Sequence, residues 1–131
     1  MLIDTSGWLC LFDENDHRHD AASMIYHSSR HKITHSYVIA EFVPLCEKRR
    51  LPRKKSLDFL SELLNDTKVT TIWVDEMTSL EAFSLLQQRL DKSWSICDAV
   101  SFIIMRDYAL VEALTTDHHF EQAGFVQLLE S

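Results

Sequence analysis

The opening residues 1–12, MLIDTSGWLCLF, change character at Asp4. Leu2 and Ile3 read as a short buried strand, whereas from Thr5 onward Trp8, Leu11 and Phe12 recur at helical spacing. A strand that runs straight into a helix at an aspartate is the start of a βα unit, and the rest of the chain repeats the alternation. Residues 17–30 have a helical pattern, residues 32–34 a strand pattern, and residues 36–49 a helix in which Pro44 should introduce a kink. After Pro52, Leu57, Leu60 and Leu64 with Phe59 and Leu63 mark an amphipathic helix that Asn65-Asp66 stops. Residues 68–74, KVTTIWV, are the clearest strand.

In the second half, Thr78 and Glu81 have capping-box spacing, and Leu80, Phe83, Leu86 and Leu90 follow on one helical face as far as Lys92. Residues 95–108 are apolar almost all round, as in a helix buried between layers. Residues 110–114 give a fourth strand, residues 118–123 a short helix closed by Gly124, and residues 125–129 a final strand. Strands separated by helices need crossovers, so the expected class is α/β: a mostly parallel sheet of about five strands with helices on both faces.

At 131 residues the chain fits one domain, residues 1–131, and 46% hydrophobic residues suffice for a packed core. Gly7 and Gly124 are its two glycines, too few for a phosphate-binding Gly-rich loop or a GxGxxG turn, so no nucleotide cofactor is expected. Cys10, Cys46 and Cys97 form no CxxC pair and sit among apolar neighbours, the pattern of reduced buried thiols in a cytoplasmic protein. No apolar run approaches the roughly 18 residues of a membrane span, and no leader pattern precedes Leu2, so no membrane association is expected. Charge is uneven. Lys48, Arg49, Arg50, Arg53, Lys54 and Lys55 lie within eight positions, and without those six charges a net −7 becomes −13. The cluster is either a contact for an anionic partner or a solvated connection between helices.

Four acids stand apart from the polar stretches. Asp4 and Asp117 both end strands, at the carboxyl edge where open α/β sheets bind ligands. Glu41 has Tyr37, Val38, Pro44 and Leu45 at helical distances, so it projects from an apolar face with no cation nearby. Asp98 lies on the buried helix, where leaving it ionised and unpaired would cost several kcal/mol. Four such carboxylates stay ionised together only beside a positive charge, and all-oxygen ligation suits Mg²⁺ or Mn²⁺ better than zinc. The competing reading is structural: Asp4 and Asp117 as N-caps, and Ser95-x-x-Asp98 as a capping box.

In this order the four acids, within LIDTSGWL (residues 2–9), VIAEF (38–42), WSICDAVSFIIM (94–105) and ALTTDHHFEQAGF (113–125), resemble the PIN-domain ribonuclease family and its VapC-like toxin branch across essentially the whole chain. The resemblance implies a five-stranded parallel sheet, Mg²⁺ or Mn²⁺ at its carboxyl edge, and endonucleolytic cleavage of RNA leaving 5′-phosphate and 3′-hydroxyl ends. Asp4, Glu41, Asp98 and Asp117 match the family's acids, and Ser6, Ser95 and Thr115 its supporting hydroxyls. It also implies a small antitoxin partner and a homodimer, with the helices at 36–49 and 53–64 as the dimer face. The sequence departs from the family at Asp107-Tyr108-Ala109, where relatives carry a glycine-containing turn.

For such a nuclease Asp4, Asp98 and Asp117 are the expected main ligands, of one ion or two, and Glu41 either ligates or accepts a proton from the attacking water. His118 and His119 are read as solvent-facing at a helix start and stay outside the catalytic set. Arg49, Arg50, Arg53, Lys54 and Lys55 are candidate RNA-backbone contacts. Trp8 and Trp94 are expected in the core rather than stacked on bases. Two other readings compete: a PIN-fold module that binds RNA or protein without cutting, and a phosphoryl-transfer enzyme with Asp4 as nucleophile. The second lacks the DxD aspartate at residue 6, which is Ser6.

Overall fold

The computed structural model describes residues 1–131. In chain order the elements are β1 Leu2–Ile3, α1 Thr5–Phe12, α2 His19–Ser28, β2 Lys32–His35, α3 Ser36–Lys48, α4 Arg53–Asn65, β3 Val69–Ile72, α5 Glu76–Gln88, α6 Ile96–Asp107, β4 Glu112–Leu114, α7 His119–Gln122 and β5 Val126–Gln127. The five strands form one sheet in the order β3-β2-β1-β4-β5, every pair parallel. Each crossover carries a helix, as parallel pairing requires.

Successive strand side chains point to opposite faces, and β1 shows both covered: Ile3 belongs to a core beneath α1 to α4, Leu2 to one beneath α5 to α7. α6 is buried over nine consecutive residues, Cys97 to Met105, as its all-round apolar pattern requires. Trp8 and Trp94 are both buried, so neither is available to a base. The three cysteines are buried and free. No helix is long and apolar enough to cross a membrane.

Two local expectations are corrected. The cap of α5 is Asp75, whose side chain accepts the Thr78 N–H, so the helix begins two residues before Thr78 and the Thr78/Glu81 box does not form. The core face of α5 is Ala82 with Leu85 and Leu86, whereas Leu80, Phe83 and Leu90 are exposed. Pro44 lies inside α3, which runs continuously from Ser36 to Lys48. A proline leaves the Ala40 carbonyl without its helical donor, and both residues are on the exposed side, where solvent replaces it.

The connection β1 to β2 goes to one side of β1, and β4 returns to the other. The crevice at the carboxyl ends of β1 and β4 is therefore the topological switch point, the place where this class of sheet opens to ligands.

Candidate active site at the switch point

A cleft of about 770 Å³ opens at that crevice, and Asp4, Glu41, Asp98 and Asp117 all line it. Four separate elements bring them together. Asp4 follows β1 and is the N-cap residue of α1, but its side chain makes no cap hydrogen bond. Gly7 on the first turn of α1 lets that helix approach β4, since a Cβ there would overlap the Leu114 carbonyl.

Asp4 and Asp98 are the two buried acids of the four, each 6% exposed. Asp4 Oδ2 accepts the Thr115 hydroxyl at 3.0 Å and the Ser6 hydroxyl at 3.4 Å. Thr115 Oγ1 also accepts the Asp117 N–H, and Ser6 Oγ the Thr116 N–H, each at 3.0 Å, so both hydroxyls tie the β4–α7 loop to β1. Burial pushes the Asp4 carboxyl up to about 7. The Thr5 amide and Thr115 hydroxyl pull it down, and the Asp98 and Asp117 carboxylates push it further up.

Asp98 forms a full capping box with Ser95: it donates N–H to Ser95 Oγ at 3.0 Å and accepts the Ser95 N–H on Oδ2 at 2.9 Å. The same Oδ2 accepts from His119 Nδ1 at 2.9 Å. A carboxylate only accepts, so this bond fixes the proton on Nδ1. His119 Nδ1 also lies 3.3 Å from Asp117 Oδ1, and its backbone N–H donates to that oxygen at 2.9 Å. The structural role of Ser95 and Asp98 is thus realised, but it occupies one oxygen: Asp98 Oδ1 and Asp117 Oδ2 have no hydrogen-bond partner in the protein.

Glu41 is corrected in its setting. It sits on the cleft wall beside Ala40, Pro44, Leu45 and Lys48 and is exposed, rather than pressed against apolar packing. The Thr5 hydroxyl donates to its Oε2 at 3.4 Å. Behind it Cys97 is buried, and burial together with Asp4, Glu41 and Asp98 pushes its thiol far up, so it stays protonated.

His119 is the residue that sequence reasoning misplaced. It is largely buried between Asp98 and Asp117, with Ser93 Oγ 3.4 Å from Nε2, while its neighbour His118 is exposed. Its spacing of two from Asp117 was a visible signal, because a turn-forming aspartate takes the N–H two residues on. Asp117, His118 and His119 are also the one set of three His, Cys, Asp or Glu donors within 4.8 Å of one another. Of the basic cluster only Lys48 and Arg49 reach the cleft. Arg53 pairs with Glu47 and Lys54 with Asp58, while Lys55 lines a different surface and Arg50 ends α3 with φ 60°.

The donor set fits a hard divalent cation. The acids offer carboxylate oxygens, hydroxyls hold them in place, and burial raises the Asp4 carboxyl to about 7, a penalty on its ionised form that a cation would offset. None of the four meets a Lys or Arg; the basic side chains nearest Asp98 and Asp117 are those of His118 and His119 alone.

The comparisons agree with this geometry. The PIN domain profile matches residues 1–126. The 23S rRNA-specific endonuclease VapC20 of Mycobacterium tuberculosis, in strains CDC 1551 / Oshkosh and ATCC 25618 / H37Rv, is 27% identical over 129 residues, covering 98% of this chain and 97% of that protein. Its crystal structure, described as that of a sarcin–ricin loop cleaving toxin, superposes with a TM-score of 0.88 over 96% of each chain. With a parallel five-stranded sheet, an acidic crevice at its switch point and a profile that spans all but the last five residues, the chain belongs to the PIN-domain family.

Proposed function

We propose that the protein is a metal-dependent endoribonuclease, the toxin of a toxin–antitoxin pair, acting in the cytoplasm. One observation carries the reading: carboxylates from four separate elements line one cleft and none of them meets a lysine or arginine. Separate caps and ion pairs would not leave Asp4 buried beside two other acids with its carboxyl raised to about 7.

Asp4, Asp98 and Asp117 are assigned as holders of Mg²⁺ or Mn²⁺. When bound, such an ion lowers the pKa of a water and neutralises charge on phosphate. Thr115 and Ser6 fix Asp4, Ser95 and His119 fix Asp98, and Asp117 is fixed through the Thr115 hydroxyl and the His119 amide. Glu41, exposed on the cleft wall, ligates the ion or takes the proton of the attacking water. Lys48 and Arg49 at the rim attract the RNA backbone into an otherwise acidic crevice.

A ribosomal RNA fragment carrying a sarcin–ricin loop is the substrate to test, given what the VapC20 relative is named for. The substitution Asp98→Asn keeps an acceptor for the Ser95 N–H, so the helix start survives while a negative ligand is lost. Cleavage in Mg²⁺ or Mn²⁺ is expected to fall by more than about 100-fold with unchanged circular dichroism, since even supporting partners of a metal ligand are worth 10–100-fold. Cleavage at the wild-type rate would remove the metal-site reading. The toxin assignment includes a homodimer through α3 and α4, where Leu57 and Leu64 are exposed; sedimentation of the free protein tests it.

A further inference from the structure

At the other end of the sheet, where β2 and β3 begin, a second cleft of about 460 Å³ opens between the α2–β2 turn and the loop before β3. Its charged lining has one sign: Arg30, Lys32 and Lys68, flanked by His27 and His31, with no Asp or Glu. In a chain of net charge −7 this does not follow from composition. Of the 13 Lys and Arg, seven meet a carboxylate within 4.0 Å. Of the six that do not, three are gathered here. The nearest acid of the loop, Asp66, turns Oδ1 to the Lys68 N–H and lines the groove of Trp8 and Tyr26 instead.

Lys32 is the unusual member. It is only 8% exposed, and its ammonium lies over the Tyr26 ring, 4.1 Å from the centroid. Lysines this buried are ordinarily paired with a carboxylate, and an aromatic face offsets only part of the lost hydration. Thr67 and Thr70 also line the cleft. Unpaired ammonium and guanidinium groups, with hydroxyls, in a concave site without acids are the chemistry of phosphate recognition.

We propose that this cleft is a second, non-catalytic contact for the RNA substrate, which it holds by backbone phosphates remote from the scissile bond. The proposal rests on the ribonuclease reading above. β2 begins at the basic cleft with Lys32 and ends toward the acidic one with His35, about 10 Å on at the usual rise per residue. A folded RNA that wraps the β3 edge touches both clefts, whereas a dinucleotide touches one. Phosphate contacts fix register and add affinity without reading sequence, so the cleft favours folded RNA over short fragments of the same sequence.

The test compares the full-length wild-type protein with Arg30→Ala/Lys68→Ala, two exposed side chains, and with Arg89→Ala/Lys92→Ala, which makes the same charge change where both residues pair with Asp91. Binding of a fluorescent, folded ribosomal RNA fragment is measured in EDTA across a salt series. The expected result is weaker binding by Arg30→Ala/Lys68→Ala, with a log K against log salt slope shallower by about two, since each lost phosphate contact removes about 0.7–0.9. Arg89→Ala/Lys92→Ala should keep the wild-type slope. An unchanged slope in the first variant, or an equal loss in the second, overturns the proposal. Saturable binding of inorganic phosphate or polyglutamate alone, lost in Arg30→Ala/Lys68→Ala while RNA binding is unchanged, also overturns it, assigning the cleft to a small anion or an acidic peptide. Cleavage of a short oligonucleotide by the wild-type protein in Mg²⁺ reports the catalytic reading separately, so the two fail independently.

Discussion

Two buried titratable side chains oppose each other in their effect on stability. Asp4 is raised to about 7, so its contribution is fully present below the unfolded carboxylate value near 3.9 and is lost as pH rises through 7. His35 is buried with Nδ1 unpartnered and Nε2 2.8 Å from Ser101 Oγ, and burial lowers it to about 4. Its contribution is present above the unfolded value of about 6.5 and is lost as pH falls through 4. Between pH 4 and 6.5 the slopes cancel. In metal-free buffer, Asp4→Asn is expected to raise the unfolding free energy by up to about 4 kcal/mol at pH 8 and by nothing near pH 4, because each tenfold change in proton affinity between the folded and unfolded chain is worth about 1.4 kcal/mol. With Asp4 removed, the His35 slope emerges as stability that climbs from pH 4 to 6.5. Urea titrations of the two proteins across pH check both statements, and parallel profiles would contradict them.

At this same scale the sequence was legible where chemistry is local. Asp4 and Asp117 could be read from strand ends, and Ser95 with Asp98 from cap spacing. The local tie of His119 to Asp117 was visible in their spacing, but its burial was not, because that depends on α7 folding back over the start of α6, a contact between residues 21 apart. Likewise Lys48 could be counted in a basic run, but its place on the cleft wall comes from sharing with Glu41 the helical face that the fold turns to the switch point.

Among the elements, β1, β2 and the helices were visible because their periodicity is strong. Their ends were not, because caps compete: Asp75 won over Thr78. The turn after α6 is the element where the sequence departs from its family, and its backbone carries the consequence: Ala109 takes φ 54°, a left-handed conformation that suits glycine. Ala109→Gly is expected to stabilise the protein by about 0.5–1 kcal/mol, because about 1–2 kcal/mol of relieved strain exceeds the added freedom of the unfolded chain. Chemical denaturation measures it, and a loss of stability would show the turn to be unstrained. Gly7 behaves oppositely. Gly7→Ala puts a Cβ into the Leu114 carbonyl and separates α1 from β4, at a cost of about 1–3 kcal/mol, and it displaces Asp4 and Thr115 with them. Activity should therefore fall with stability; a stable, active Gly7→Ala would contradict the close approach.

For the molecule as a whole, the alternation of strands and helices sufficed for the parallel sheet, and the four acids for the edge that matters. What periodicity could not provide is the strand order β3-β2-β1-β4-β5, which makes the β1–β4 crevice the switch point and so gathers residues as far apart as Asp4 and Asp117. The exposed apolar surface was equally hidden: Trp73, Met77, Leu80 and Phe83 are more than half exposed on β3–α5, while the α3–α4 face offers only Leu57 and Leu64. The molecule is acidic overall, and four of its 20 acidic residues line one cleft. A ligand at 100 times its dissociation constant stabilises a fold by about 2.7 kcal/mol, so Mg²⁺ should raise the unfolding midpoint measurably and EDTA should reverse the gain. The most direct test is calorimetric titration of Mn²⁺ into the wild-type protein and Asp4→Asn at pH 8. The account predicts saturable binding to the wild type and an affinity at least about 10-fold weaker in Asp4→Asn; equal affinities, or no binding to either, would contradict it.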